Sequence, residues 1–371
     1  MASFRKRNDK WEYRIKYIDP ATGNKREKSK GGFATKKEAQ IMAAEIERRI
    51  YLGQHSIINS SEILVKDWLN KWLDVYCTQC EKSTLINRTN YVQKVIIPKL
   101  GNFKLNSLSR IEYQEFMNTL LEKYAKRTVQ TIHSIFMSAI NKAVEAEIIT
   151  HNKFRNINIK KESNLTDKKI NYLDKEQVAI FMNAARQAPF HHYIVASFLL
   201  RTGLRKGELL GLTWNDIDFQ KKTVNINKSR NENEVKKPKT NSSYRKISID
   251  ETLIDELIKY SLWQKKNKLK YGLGYRNSEF LITSPNGKAI GPFGINKIID
   301  NILEKTNLHH ISPHGLRHTH AIMLLESGAD IKFVSDRLGH STVNMTADVY
   351  VHITKKYEEE NVSKFAKYLN H

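Results

Sequence analysis

Residues 312–320 read SPHGLRHTH, three histidines and an arginine packed behind a serine and a proline. Ser312 is suited to cap a helix and Pro313 to its first position, and Leu316, Ala321, Met323, Leu324 and Leu325 supply its apolar residues. At roughly 100° per residue, Arg317 and His318 fall within about 60° of His314 on one face, while His320 points away. The three histidines therefore cannot converge on one ion. His314 and His318 keep the i, i+4 spacing of helical zinc ligands, but no glutamate separates them as in H-E-x-x-H, and a permanently charged guanidinium does. A grip on an anion and a solvated polar face both stay open at this point.

Charge favours the anion. The chain has 371 residues, 62 Lys and Arg against 39 Asp and Glu, and a formal net charge of +23, which points to a polyanionic partner. No run approaches the ~20 apolar residues that span a bilayer, and the start, MASFRKRNDKWEYR, lacks the apolar stretch of a signal peptide. A soluble cytoplasmic protein without membrane contact is expected. The two cysteines, Cys77 and Cys80 in CTQC, have no second pair or nearby histidine, so they fit reduced thiols at a helix end better than zinc.

Such a length suggests two or three domains. Residues 1–55 alternate in WEYRIKYID and again in KREKSKGGF, followed by a helix from Thr35 to Tyr51 with Ala39, Met42, Ala43, Ile46 and Ile50 on one stripe. This predicts a small sheet backed by a helix. Its exposed positions carry Arg5, Lys6, Arg7, Arg14, Lys16, Lys25, Arg26, Lys28 and Lys30, a surface suited to a DNA groove and phosphates. Residues 62–156 read as helices throughout (WLNKWLDVY, TLINRTNYVQKVIIPKLG, IEYQEFMNTLLEKY, RTVQTIHSIFMSAINKAVEAEII), and residues 157–173 as a charged linker. Residues 174–371 open on Asp174 and Gln177 as N-cap and N3 partner, then mix helices with short strands at TVNIN, YRKISI and FLIT.

Four islands in this last segment carry chemistry: TGLRKGELLGLTWNDID (202–218), PKTNSSYRKISI (238–249), HGLRH (314–318) and LGHSTVNMTADVY (338–350). A phosphodiester under attack gathers charge on its nonbridging oxygens, and a guanidinium clamps two of them without losing its proton. Arg205 and Arg317 are candidates for that clamp. A leaving alkoxide needs a proton from a lysine or histidine, and a tyrosine hydroxyl attacks once neighbouring cations favour phenolate. No phosphate-binding G-x-x-x-x-G-K-[ST] loop is present, so nucleotide hydrolysis is not expected.

The order Arg…Lys…His-x-x-Arg…His…Tyr resembles the tyrosine recombinase family, specifically the integrases of temperate phages and integrative elements. The resemblance covers essentially the whole chain. It implies an α+β multidomain fold: an arm-type DNA-binding domain (1–55), an all-α core-binding domain (62–156), a linker (157–173) and a mainly α catalytic domain with short β-strands (174–371). It implies catalytic roles for Arg205 in TGLRKGE, Lys239, His314 and Arg317, His340 in LGH and Tyr350 in TADVYVH, with Glu208 in support. Lys236 and Lys237 stand close to Lys239, which the K-T before a turn and strand favours; Tyr357 competes with Tyr350.

The implied reaction is attack by Tyr350 on the scissile phosphate, a 3′-phosphotyrosyl link, and departure of a 5′-hydroxyl protonated by Lys239. A partner strand's 5′-hydroxyl then reverses the attack with His314 as acid or base, so neither metal nor nucleotide cofactor is needed. Implied partners are double-stranded DNA with core and arm sites, three further copies of the chain in a homotetramer, and accessory DNA-bending or directionality factors. A type IB topoisomerase shares the residue set but reseals the original strand, and a noncatalytic DNA-binding regulator of the same fold would form no covalent product. A metal-dependent nuclease, a third alternative, would be sensitive to chelators. The basic N-terminal sheet favours recombination between two sites. In the tail, Val362, Phe365, Ala366 and Leu369 make one apolar stripe, to be docked either on its own domain or, as the resemblance suggests, on a neighbouring protomer.

Overall fold

The computed structural model describes residues 2–18, 23–51, 63–160, 170–231, 234–236, 244–340 and 342. The chain divides into two compact units, Met1–Thr166 and Asp167–His371.

The first unit opens with an antiparallel sheet in the order β1 (Ser3–Arg7), β2 (Lys10–Ile18), β3 (Lys25–Phe33), followed by α1 (Lys36–Tyr51). Alternation in β2 buries Tyr13, Ile15 and Tyr17 on one side, where Tyr13 and Ile15 cluster with Ala43, Phe4, Phe33, Ile46 and Ile50. Met42, expected on the same stripe, is instead exposed, because a sheet this small covers only part of the helix face. Thr35 and Glu38 exchange capping hydrogen bonds at the start of α1. The strand β1 was not anticipated from its charged SFRKR. Its signal is the Asn8-Asp9 pair, both left-handed (φ 49° and 59°), which closes a two-residue hairpin onto β2.

Among the described residues the rest of this unit is helical, with α2 (Val65–Tyr76), α3 (Lys82–Tyr91), α4 (Arg110–Lys123) and α5 (Lys126–Glu145) as its longer helices. After Tyr91 the chain continues through a wider π-turn, Val92–Ile96, into a last turn Ile97–Leu100; Pro98 has no N–H to give the preceding turn, which accommodates the loss by widening. Trp68 and Trp72 of α2 are fully buried, and the Trp68 indole donates to the Ala139 carbonyl at 2.9 Å. Cys77 and Cys80 are both free thiols, and each sulfur accepts from Arg88 Nη1, at 3.3 and 3.0 Å.

In the second unit, Asp174 and Gln177 form the expected capping box at the start of α6 (Lys175–Arg186). The next helix, α7 (Phe190–Thr202), is buried on nearly every side and packs against α6, α9 (Glu251–Tyr271), α10 (Pro292–Leu303) and α11 (Pro313–Glu326). Between them lie α8 (Lys206–Gly211), an antiparallel sheet of β4 (Ile217–Asp218), β5 (Thr223–Ile226) and β8 (Arg245–Ser248), and a small ribbon of β6 (Ser229–Arg230) with β7 (Val235–Lys236). The helix α12 (Ile331–Leu338) follows α11. FLIT (280–283), expected to be a strand, makes only single bridges from Phe280 to Thr213 and from Thr283 to Ala289. Its consecutive Leu281 and Ile282 are both buried, and the Leu281 N–H donates to the Leu212 carbonyl while the Ile282 carbonyl accepts from the Ile290 N–H, isolated bonds rather than a continuous ladder. Among the described residues no helix is long and apolar enough to cross a membrane.

Candidate active site and nucleic-acid interface

The SPHGLRHTH stretch folds as its local chemistry dictates. Ser312 Oγ accepts from the Gly315 N–H at 3.2 Å, Pro313 opens α11, and the Ser312 N–H is held by Asn171 Oδ1 at 2.9 Å. A Cβ on Gly315 would stand 2.6 Å from Asn171 Oδ1, so only glycine lets α11 sit this close. Arg317 then enters the interior, 2% exposed, where Nη1 donates to the Gly203 carbonyl at 2.8 Å and Nη2 to the Leu338 carbonyl at 2.7 Å.

Gly203 ends α7 in the left-handed region (φ 64°), and the chain turns at once to Arg205, the N-cap of α8. Glu208 accepts from the Arg205 N–H and from Arg205 Nη1, both at 2.9 Å, while Arg205 Nη2 reaches the Gly339 carbonyl at 2.9 Å. The same carboxylate accepts from Arg245 Nη1 and Nη2, at 3.1 and 2.9 Å. Glu208 therefore holds two arginines, Arg205 and Arg245, rather than Arg205 alone.

Three guanidiniums and one carboxylate make a cluster with two positive charges in excess. Burial, followed by the nearby Arg205, pushes Arg317 down to about 9, still protonated at neutral pH. Burial also works against ionisation of Glu208, but hydrogen bonds and charge from Arg245 and Arg205 outweigh it and hold the carboxyl below its usual range. His314 is brought down to about 4 by burial, then His318, Arg317 and Arg205. His340 also falls to about 4, by burial and then Arg317, Arg205 and His314. Both imidazoles are thus neutral at pH 7, able to donate or accept a proton, and an anion entering the cluster would raise their proton affinity.

Arg205, His314, Arg317 and His340 come together here, whereas Lys239 and Tyr350 lie outside the described residues. His318 stacks edge-on against His314, centroids 4.6 Å apart, and His320 is turned away into the core, as its angular position predicted. Sequence reasoning missed Arg245 and Arg337. Arg245 carried a signal: it shares strand parity with the buried Ile247, an inward arginine on a half-buried strand.

The histidines also make stability depend on pH. Their folded values lie below the ordinary 6.5, so the unfolded chain takes up protons first as pH falls. The stabilisation is complete above about 6.5 and is lost as pH drops through the folded values near 4. The expected result is a urea midpoint that declines from pH 7 to pH 4.5 by a smaller margin in His314→Gln; equal declines in the two proteins would remove His314 from this linkage.

A family model, Phage integrase family, matches residues 171–357, half of the chain. The chain belongs to the phage integrase family. It is a site-specific DNA recombinase, with the α+β multidomain fold expected of one. An Arm DNA-binding domain matches residues 3–50 and a phage-integrase N-terminal SAM-like domain residues 64–121. A tyrosine recombinase XerC-like protein of Caldanaerobacter subterraneus subsp. tengcongensis is 27% identical over 353 residues, covering 88% of each chain. The ICEBs1 integrase of Bacillus subtilis is 28% identical over 364 residues, covering 94% of each. Among solved structures, the Tn1549 transposon integrase in complex with a circular intermediate DNA superposes with a TM-score of 0.70 at 21% identity, over 82% of this chain and 99% of that one.

In this integrase-family chain seven of the nine N-terminal basic residues are exposed as expected, but the nine divide between two faces. Strand pairing puts Arg5, Arg7, Arg14, Lys16 and Lys25 on the outer face. Lys6, Arg26, Lys28 and Lys30 share the side of Tyr13, Ile15 and Tyr17, on the two edge strands. Arg14 and Lys28 are half-buried rather than exposed. The sequence hid this because the alternation of KREKSKGGF is between charged and small residues, with no apolar side chain before Phe33 to mark the inward side, and a register shift opposite Trp11 and Tyr13 changes the phase. On the outer face Arg5 pairs with Glu12, and Arg14 with Glu27 at 3.1 Å. In the helical part, a cleft of about 340 Å³ between α3 and α5 is lined by Ser83, Thr84, Asn87, Arg88, Thr131 and Ile135.

Proposed function

We propose that the protein integrates and excises a mobile DNA element by cutting and rejoining strands through Tyr350. The observation that carries this is the arginine cluster around Glu208, which has two charges to spare and neutral His314 and His340 beside it. Arg205 and Arg317 bind the nonbridging oxygens of the scissile phosphate and stabilise the charge that builds on them. Tyr350 Oη gives up its proton to a neutral imidazole of the cluster and attacks phosphorus, the bond to the 5′-oxygen breaks, and Lys239 supplies that oxygen with a proton. His314 and His340 hold and move protons during the reverse attack by a partner strand's 5′-hydroxyl. Each phosphodiester is exchanged for a phosphotyrosyl bond and back, so bond energy is retained. Resealing to a new strand, rather than the original one, separates this reading from a topoisomerase.

The units divide the labour as 1–55 for arm DNA, 62–156 for core DNA, 157–173 as linker and 174–371 for chemistry. Two duplexes each cut on both strands require four tyrosines, hence a homotetramer on DNA. Distant arm and core sites meet only if the DNA bends, which gives accessory bending or directionality factors a place. Work on chromosomal DNA puts the protein with the nucleoid. The tail stripe Val362, Phe365, Ala366 and Leu369 lies outside the described residues.

The deciding experiment incubates the full chain with a nicked core-site oligonucleotide. A covalent adduct stable to detergent, formed in EDTA and mapped by peptide mass to Tyr350, is expected. Absence of any adduct over core sites from both ends of the element would sink the enzymatic reading and leave a DNA-binding regulator. Deleting residues 1–55 should preserve this cleavage and abolish recombination that needs arm sites. Binding through the outer face should also show a salt slope near −0.9 per phosphate contact. Cleavage lost together with arm binding would show that the sheet is not an independent reader.

A further inference from the structure

The end of α12 meets three arginines at once. Successive carbonyls of Arg337, Leu338 and Gly339 accept from Arg245 Nε at 2.7 Å, Arg317 Nη2 at 2.7 Å and Arg205 Nη2 at 2.9 Å. These are carbonyls a helix leaves unpaired at its C-terminus, where the helix dipole is negative and favours cations. Gly339 closes the helix in the left-handed region (φ 68°) and delivers His340 directly after the third carbonyl. The orientation of every guanidinium in the cluster is therefore referred to one helical turn.

That turn is itself pinned, through the side chain of Arg337. Its Nε donates to His320 Nε2 at 3.2 Å, Nη1 to the Ser248 carbonyl at 2.9 Å, and Nη2 to the Arg201 carbonyl at 3.3 Å. One planar fork thus joins α12 to α11, to the residue ending β8 and to the last turn of α7. His320 Nδ1 lies 2.8 Å from the Leu200 carbonyl and must donate to it, which leaves Nε2 as the acceptor that Arg337 requires. Gly203 permits the close approach, since a Cβ there would stand 2.5 Å from His320 Cδ2 and 2.7 Å from Leu338 Cδ2.

Resting on the recombinase reading above, we propose that Arg337 is a positioning residue for strand cleavage. Among the described residues its side chain donates to His320, Ser248 and Arg201 and to none of the proposed catalytic groups; by fixing the last turn of α12 it sets where three carbonyls hold Arg205, Arg245 and Arg317, and where His340 begins. A small displacement of that turn moves the whole phosphate clamp, and misplacement by about 1 Å can cost roughly 100-fold in rate.

The test measures single-turnover cleavage of a nicked core half-site and affinity for the same DNA, for the full chain and for Arg337→Met and Arg337→Lys. Methionine keeps much of the stem and none of the donors; lysine keeps the charge but not the three-way fork. The expected result is unchanged affinity in both variants, cleavage slowed roughly 100-fold in Arg337→Met and by less in Arg337→Lys, and partial recovery of Arg337→Ala by added methylguanidinium. A side chain that only stabilised the fold would lower rate, affinity and melting temperature together. The proposal is overturned if Arg337→Met cleaves as fast as the parent, or if its rate and affinity fall by the same factor. Should the methionine variant not fold, the lysine variant decides by the same two outcomes. A parent chain that forms no adduct would strike the recombinase reading instead, whereas a cleaving parent beside an equally fast variant strikes only this inference.

Discussion

Tyr350→Phe is expected to bind a core half-site as tightly as the parent chain and to leave no covalent protein on a nicked substrate. The change removes a single oxygen, so folding and phosphate binding persist while the nucleophile is gone, and no partial activity is expected from the position. An ordinary tyrosine ionises near about 10; the proposed clamp, with its two excess positive charges, favours phenolate as the phosphate arrives. Tyr357→Phe is the matched control and keeps full cleavage. The assignment passes to Tyr357 if the two outcomes are exchanged. An adduct formed by the double variant would place the nucleophile elsewhere.

Arg317→Ala is expected to slow cleavage by roughly 10²–10³-fold, equivalent to about 2.7–4 kcal/mol of transition-state stabilisation. A screened surface charge would contribute at most about 1 kcal/mol, and Arg317 is 2% exposed with both terminal nitrogens engaged. Arg317→Lys should recover little, because an ammonium cannot bridge the Gly203 and Leu338 carbonyls while also facing a phosphate. Arg205→Ala should behave alike, since its loss also leaves Glu208 with one fewer cation. Single-turnover rates, set beside affinity and urea midpoints of the same proteins, separate lost chemistry from lost folding. Cleavage by a folded Arg317→Ala within a few-fold of the parent would return Arg317 to a structural role.

Local signals in the chain were read well where their physics is local. A serine that caps, a proline at the first position and a 3.6-residue period need no distant partner, and α11 starts where they place it. The same holds for the Asp174–Gln177 box and for the alternation of β2. Misreadings arose where burial depends on what lies opposite. FLIT has the composition of a strand but lacks a continuous partner, and Met42 belongs to a stripe wider than the sheet beneath it.

Sequence by itself supplied the order and chemical type of the candidate site: Arg205, Lys239, the H-x-x-R pair of His314 and Arg317, His340 in LGH and Tyr350, in a chain whose net charge of +23 points to a polyanion. That His320 would leave the cluster followed from helix angle alone. Tertiary structure alone decided how the arginines are held. Arg205, Arg317 and Arg245 meet carbonyls at sequence separations of 134, 21 and 92 residues, and no periodicity encodes which helix end will stand opposite them. A backbone carbonyl belongs to every residue, so its selection leaves no mark in residue identity. Only packing the start of α8, α11 and β8 against α12 brings one helix C-terminus, with its acceptor carbonyls, to three guanidiniums.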